Sequence, residues 1–179
     1  MKAGVKQQRF PSIFSFSVVP STLLVWFVSE VQSVGNFNVN RFCYEDPGLE
    51  RVALYKDGSS VFQNEATKNL NIERNSADLL YLYECFLQTF GETALDISAE
   101  RFQYDHFVLC YNLSPNPLLR KQKAVALSIA DRALAPLTGG VLDFELLLKT
   151  PLASNTIVYF CAVSDIVAIF DQNGISVKM

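Results

Sequence analysis

The chain has 179 residues, of which 50% are hydrophobic and 18% charged, and its net charge is −3. This length suits one domain that buries a core without disulfides or metals, and the balance of 15 basic against 18 acidic residues lacks the basic excess that marks nucleic-acid binding. The dense basic cluster at 120–123 is typical of a solvated loop, so we expect no direct contact with nucleic acid.

The amino-terminal segment allows two interpretations. A basic start, an apolar stretch and a small residue at Ser33 outline a secretory signal peptide. However, Pro11 and Pro20 interrupt the stretch, and Ser15 and Ser17 alternate with apolar residues, as in a strand. These breaks also argue against a membrane-spanning helix, which needs about 20 apolar residues.

We therefore predict two short strands, at 12–19 and 22–29, and leave residues 1–11 unassigned. An irregular connection follows over 30–49, with a turn signal at Asp46-Pro47-Gly48. The next segment, "LERVALYKDG", predicts a strand from Leu49 with a tight reversal at its Asp-Gly end.

The strongest helix signal lies at 76–91. Apolar residues recur there at spacings of three and four, Ser76 is a favourable N-cap, Asp78 suits the first turn, and Gly91 suits the position just past the helix end. The apolar stripe is more typical of a core face than of a ligand shelf.

The carboxy-terminal half alternates between strand and helix signals. We predict a strand at 104–114, a weaker helix at 119–135, and a turn at Gly139-Gly140. Three further strands and a short final segment then follow, with the sequences "VLDFELLLKT", "NTIVYFCAVS", "DIVAIFD" and "ISVKM".

Many short strands with one or two inserted helices predict a mainly β protein. The expected fold is an antiparallel β-sandwich of the jelly-roll type, forming one domain over residues 12–179. We expect Trp26, Phe144 and Tyr159 to lie inside this sandwich, with the helix at 79–90 packed beside it.

No set of residues predicts catalysis, a metal or a cofactor. His106 is the one histidine, which excludes multi-histidine metal sites, and we interpret it as a partly buried strand residue. Asp143 and Glu145 share one strand face opposite apolar residues, which is typical of a solvent face and not of a glycosidase pair. We therefore assign no catalytic, cofactor-binding or metal-binding residues, and no small-molecule substrate.

Four cysteines lie in apolar runs with no paired spacing, and we interpret them as free thiols in a reducing compartment. They are Cys43, Cys85, Cys110 and Cys161.

The order of the unusual segments resembles a known family. A Pro-led apolar strand, "PSTLLVWFV" (20–28), precedes "GNFNVNRFCYEDPGL" (35–49) and "ALYKDGSSV" (53–61). The helix "LLYLYECFLQTFG" (79–91), the segment "YDHFVLCYNLSPN" (104–116) and the long stretch 139–169 follow. This ordered set is similar to the carboxy-terminal jelly roll of the double jelly-roll major capsid protein of Maverick/Polinton-type and adintovirus-like elements, over residues 14–171.

The resemblance implies a truncated structural protein. The family protein has two jelly rolls, and this chain lacks the first roll and the first strands of the second. The resemblance implies a non-enzymatic subunit of a virion or of a host cell interior, viral, endogenous or domesticated in origin. Its expected partners are copies of itself, as a trimer if it is capsid-like, or another capsid chain, with no membrane. The alternative is a secreted jelly-roll module that binds sugar or protein.

Overall fold

The computed structural model describes residues 1–18, 20–35, 40, 43–61, 70–73, 76–91, 96–113, 138–163, 167–171 and 174–178. Within these residues the protein is mainly β, with nine strands and three short helices. In chain order the elements are β1 (Gln7–Val18), β2 (Thr22–Ser29), α1 (Glu30–Val34), β3 (Leu49–Lys56), β4 (Ser59–Ser60), α2 (Ala77–Phe90), α3 (Ala99–Asp105), β5 (Val108–Asn112), β6 (Thr138–Leu148), β7 (Thr156–Val163), β8 (Val167–Asp171) and β9 (Gly174–Lys178).

Two antiparallel sheets form the body of the protein. The four-stranded sheet has the order β1-β6-β3-β4, and the three-stranded sheet has the order β5-β2-β7. Strands β8 and β9 pair with each other as a separate hairpin. Each large sheet pairs strands that are far apart in the chain, such as β1 with β6 and β2 with β7, so the fold depends on long-range pairing.

The two sheets pack against each other through aromatic rings. Phe144 of β6 lies 5.4 Å from Phe160 of β7 and 6.5 Å from Tyr111 of β5, measured between ring centroids. Phe10 of β1 also lies 5.4 Å from Phe160. These contacts join the inner faces of the sheets, as in a β-sandwich. The prediction of a mainly β protein with two antiparallel sheets is therefore confirmed.

Period-two alternation explains which faces are inside. On β6, Leu142, Phe144, Leu146 and Leu148 are buried, whereas the residues between them are not. On β2, Leu23, Val25 and Phe27 are buried in the same way. The segment that resembled a signal peptide therefore supplies a central strand of the core.

The predicted helix at 76–91 is confirmed as α2. The Ser76 side chain accepts from the Leu79 backbone N–H, and the Gly91 N–H donates to the Leu87 carbonyl. Leu79 and Phe86 are its buried residues, and the helix packs against β5. The strand at 22–29 and the strand with its Asp57-Gly58 turn are confirmed as β2, β3 and β4.

Several predicted boundaries were wrong. The segment 104–114 is not one strand, because α3 occupies Ala99–Asp105 before β5 begins. The connection 30–49 contains α1, which Ser29 and Gln32 start with a capping box. Strand β1 begins at Gln7, within the segment that we left unassigned. The helix predicted at 119–135 lies outside the described residues.

Gly139 and Gly140 lie inside β6 and do not form the predicted turn. Gly140 leaves space for a close approach by the β3–β4 turn. A Cβ atom on Gly140 would lie 2.5 Å from a carboxylate oxygen of Asp57, while that side chain accepts from the Val141 N–H at 2.9 Å. Glycine at 140 therefore allows the turn to dock on the strand.

Candidate interaction surface

The sequence singled out His106, and the structure places it between α3 and β5. Its backbone N–H donates to the Phe102 carbonyl at 3.3 Å, closing α3. Tyr44 bridges this junction, because its N–H donates to the Asp105 backbone carbonyl and its carbonyl accepts from the Phe107 N–H. The prediction that His106 lies within a strand was therefore wrong, and the residue contributes to the turn from helix to strand.

Cys43 lies beside this junction, in surroundings that disfavour its thiolate. The Cys43 sulfur lies 3.8 Å from a Glu45 carboxylate oxygen and 3.7 Å from an Asp105 carboxylate oxygen. Burial, followed by the charges of Glu45 and Asp105, raises the pKa of the Cys43 thiol. A catalytic cysteine needs the opposite environment, since the thiolate is the nucleophile.

All four cysteines are free thiols in the structure. Burial raises the pKa of Cys110 to about 12, as expected for a thiol that packs as a small apolar side chain. The secreted alternative would instead require paired cysteines, and it stays a prediction.

The two acidic residues of β6 connect neighbouring strands. Asp143 accepts from the Arg9 guanidinium and from the Ser12 backbone N–H, each at 2.8 Å. Glu145 accepts from the Gln7 amide at 2.7 Å and from the Tyr55 hydroxyl at 3.3 Å. The Ser12 N–H and then Arg9 lower the pKa of Asp143, whereas a general acid needs a raised pKa.

Among the described residues, no group of three or more histidine, cysteine, aspartate or glutamate side chains could hold a metal ion. The acidic residues of β6, Asp143 and Glu145, form structural contacts with neighbouring strands instead. The surface with the clearest potential to act on another molecule is apolar, and it lies along β7.

Strand β7 is at the end of the three-stranded sheet, with β2 on one side. On the other side, in the described part of the chain, the backbone of Met1 pairs with Thr156. The Thr156 N–H donates to the Met1 carbonyl at 2.9 Å, and the Met1 amino group donates back to the Thr156 carbonyl. The backbone of Asn155 faces the opposite way, because its carbonyl accepts from the N–H of Glu30, the residue that follows β2.

The alternation of an antiparallel ladder fixes the rest of the strand. Since Thr156 directs its N–H and C=O away from β2, we infer that Val158, Phe160 and Ala162 do the same. No described strand pairs with these three residues on that side. They form a row of backbone donors and acceptors that can extend the sheet.

β7 lacks the features that usually protect a sheet edge. Its sequence, "TIVYFCAV", has no charged residue and no proline. Its register against β2 is unbroken from Thr156 to Val163, so no bulge twists the edge away. An exposed, regular, apolar edge strand is a template for pairing with another chain.

The outer face of β7 adds exposed apolar side chains to this edge. Tyr159 stacks on Trp26 with ring centroids 5.5 Å apart and planes 13° apart, yet Tyr159 is 40% exposed and Val163 is 44% exposed. The expectation that Tyr159 lies inside the sandwich was therefore wrong. Tyr159 lies on the outer face because it is one residue out of phase with the core-facing Phe160.

The sequence could not reveal this surface. A continuous apolar run predicts a strand buried on both faces, and nothing local indicates that β7 ends its sheet. We name the row formed by Val158, Phe160 and Ala162, together with Tyr159 and Val163, the β7 edge.

Comparison with known proteins gives no match: no family model, no curated protein and no solved structure is significantly similar to this chain. The helices in the described residues are all too short or too polar to cross a bilayer.

Proposed function

We propose that this protein is a structural subunit, a capsid-derived jelly-roll domain that associates with copies of itself through its sheet edges. The observation that carries this proposal is the β7 edge, a regular apolar strand at the end of a sandwich sheet, whose outward backbone groups pair with no other strand in the described residues. A subunit of this kind functions by burying surface against its neighbours, which requires no catalytic site.

The strand orders support the jelly-roll part of the proposal. A jelly roll has eight strands in two sheets. With the eight positions numbered along the chain, the sheets have the orders 1-8-3-6 and 2-7-4-5. If β1 to β7 take positions 2 to 8, the observed orders β1-β6-β3-β4 and β5-β2-β7 become 2-7-4-5 and 6-3-8.

The remaining position lies beside β7, where the described residues contribute the Met1 backbone alone. Within the described residues this edge of the three-stranded sheet is open beyond Thr156, and an open edge favours association.

The composition also supports a subunit with buried outer surface. Half of the residues are hydrophobic, and an interface between copies would cover apolar side chains such as Tyr159 and Val163. A location in a virion or in the host cell interior, and the absence of nucleic-acid, membrane and small-molecule partners, belong to the same proposal.

The test is the mass of the purified protein in solution. Size-exclusion chromatography with light scattering, in reducing buffer so that the free cysteines do not cross-link, should give a multiple of the 20.0 kDa chain mass. Electron microscopy of the same sample then shows whether the oligomer is of defined size. A chain that stays monomeric at all accessible concentrations would contradict the proposed function.

A further inference from the structure

We infer that the β7 edge is the docking site for a second copy of this chain, with the two β7 strands pairing antiparallel around a two-fold axis at Phe160. This inference rests on the proposed function and makes it specific: it names the strand, the register and the partner. The two three-stranded sheets then become one continuous sheet of six strands across the dimer.

Backbone geometry selects the register. Val158, Phe160 and Ala162 direct their N–H and C=O groups outward, so their partners must be residues that do the same. A two-fold axis at Phe160 pairs Val158 with Ala162 of the partner subunit, and Phe160 with its own equivalent. Each such pair exchanges two hydrogen bonds.

The Met1–Thr156 pair marks where this ladder ends. Met1 occupies the position beside Thr156 in each copy. A shift by two residues toward Thr156 would place Ala162 of the partner subunit where Met1 already lies. The register centred on Phe160 pairs all three outward residues and leaves the Met1 contact intact in both copies.

The core-facing side chains of β7 are complementary to the same side chains of a second copy. Val158 and Phe160 pack against the core but are only half-buried, and no described strand lies beyond them. Pairing brings the two Phe160 rings to adjacent positions on the core side of the joined sheet. Phe160 already contacts Phe10 and Phe144, so the aromatic cores of the two copies become continuous.

The outer side chains favour a second copy over a charged partner. Tyr159 lies opposite Cys161 of the partner subunit, and Val163 lies opposite Ile157 of the partner subunit. Because β7 carries no charge, self-pairing brings no like charges together. The edge also has no ionic group that would select an acidic or basic peptide.

One substitution tests the edge without disturbing the pairing to β2. Proline at position 162 removes an N–H that points away from β2, and proline is tolerated in edge strands at such positions. Ala162→Pro should therefore keep the fold, measured by circular dichroism and Trp26 fluorescence, and lose the dimer. Ala162→Ser keeps the N–H and is the matched control that should remain dimeric.

The readouts are sedimentation mass and residue-resolved hydrogen exchange. We expect the wild type and Ala162→Ser to have twice the 20.0 kDa chain mass, with slow exchange at the amides of 158, 160 and 162. Ala162→Pro should have the single-chain mass, with fast exchange at 158 and 160. If Ala162→Pro does not fold, Tyr159→Lys replaces it, because its N–H stays in the β2 ladder while a charge enters the edge.

We expect Tyr159→Lys to weaken dimerisation about tenfold or more, since it places two lysines diagonally across the paired edge, whereas Tyr159→Phe should leave it unchanged. An Ala162→Pro or Tyr159→Lys protein that dimerises like the wild type overturns the inference. So does one copy of the chain bound to a different polypeptide along β7. A trimer or larger oligomer whose 158 and 160 amides exchange fast overturns the inference while the proposed function stands, and a monomer at every concentration overturns both.

Discussion

The two long edge strands of the sandwich, β1 and β7, are protected to very different extents. In β1, Pro11 lies next to Ser12, whose φ of 52° is in the left-handed region, and the register against β6 shifts between Phe10 and Phe14. Proline and a bulge of this kind prevent regular pairing with another chain. β7 has neither feature, and its eight residues pair with β2 in an unbroken register.

The polar contacts of the two edges differ in the same way. Arg9 of β1 forms an ion pair with Asp143 at 2.8 Å and lies over the Tyr55 ring. The outer face of β7 instead presents Tyr159 and Val163. The remaining edges are also poor sites for pairing, because β4 has two residues and β5 has α2 packed against it. Among the described strands of the sandwich, the edges at β1, β4 and β5 are each protected in one of these ways, whereas the edge at β7 is not.

The largest expected effect comes from breaking the core that both edges share. Phe144 is fully buried, and its ring contacts Phe10 of β1 and Phe160 of β7. We expect Phe144→Ala to lower the free energy of unfolding by about 3–5 kcal/mol, because it removes an aromatic side chain and leaves a cavity. Urea unfolding of dilute protein measures this.

The controls for this prediction compare the edges directly. Phe10→Ala and Phe160→Ala remove rings that are only half-buried, so each should cost less than Phe144→Ala. Equal losses for all three variants would show that the edges are as tightly packed as the centre of the core.

A smaller effect is expected at the bulge of β1. Ser12 adopts its left-handed conformation with a Cβ atom, which costs roughly 1–2 kcal/mol. Ser12→Gly removes this strain but gives the unfolded chain more freedom, which offsets roughly 0.5–1 kcal/mol. We therefore expect a net gain of about 0.5–1 kcal/mol in the free energy of unfolding, from urea titrations.

Ser12→Ala is the matched control, since it keeps the Cβ atom and the N–H that donates to Asp143. It should not raise the free energy of unfolding. A Ser12→Gly protein no more stable than Ser12→Ala would show that β1 is not strained at its bulge.

The smallest effect is a change in pH dependence. The Ser12 N–H and Arg9 lower the pKa of Asp143 below its ordinary value of 3.8. Asp143 therefore stabilises the folded state at pH values above that ordinary pKa. This contribution is lost as the pH falls through the lowered pKa of the folded state. Unfolding measured between neutral and strongly acidic pH should depend less on pH in Asp143→Asn than in the wild type.

Arg9→Gln is the control, because it removes the weaker cause and keeps the Ser12 N–H. Its pH dependence should fall between those of the wild type and Asp143→Asn. Since the pair is partly exposed, the effect is screened by salt. Identical acid profiles for all three proteins would mean that Asp143 does not anchor the β1 edge.

Elements with strong local signals were predictable from the sequence. Helix α2 follows from apolar spacing with Ser76 and Gly91 at its ends, and the β3–β4 reversal follows from Asp57-Gly58. The polar face of β6 was also predictable, since its acidic residues alternate with buried ones. In each case the residues that decide the structure lie within a few positions of each other.

Helix α3 shows where local signals failed. It has seven residues and a single buried one, Phe102, which contacts the rings of Tyr83, Phe86 and Phe107. A helix this short is marginal by itself, so packing against distant residues stabilises it. The same packing places His106 at the end of α3 and not in the predicted strand.

Local sequence patterns are enough to indicate a mainly β chain with a helix at 76–91, and hydrophobic alternation defines the inner faces of its strands. Which strands pair, and which strand ends its sheet, depends on contacts between residues that are far apart in the chain. Strands β2 and β7 are separated by more than a hundred residues, and their sequences are similarly apolar. Because the position of a strand within a sheet depends on distant partners, the open β7 edge becomes visible only when the sheets are assembled.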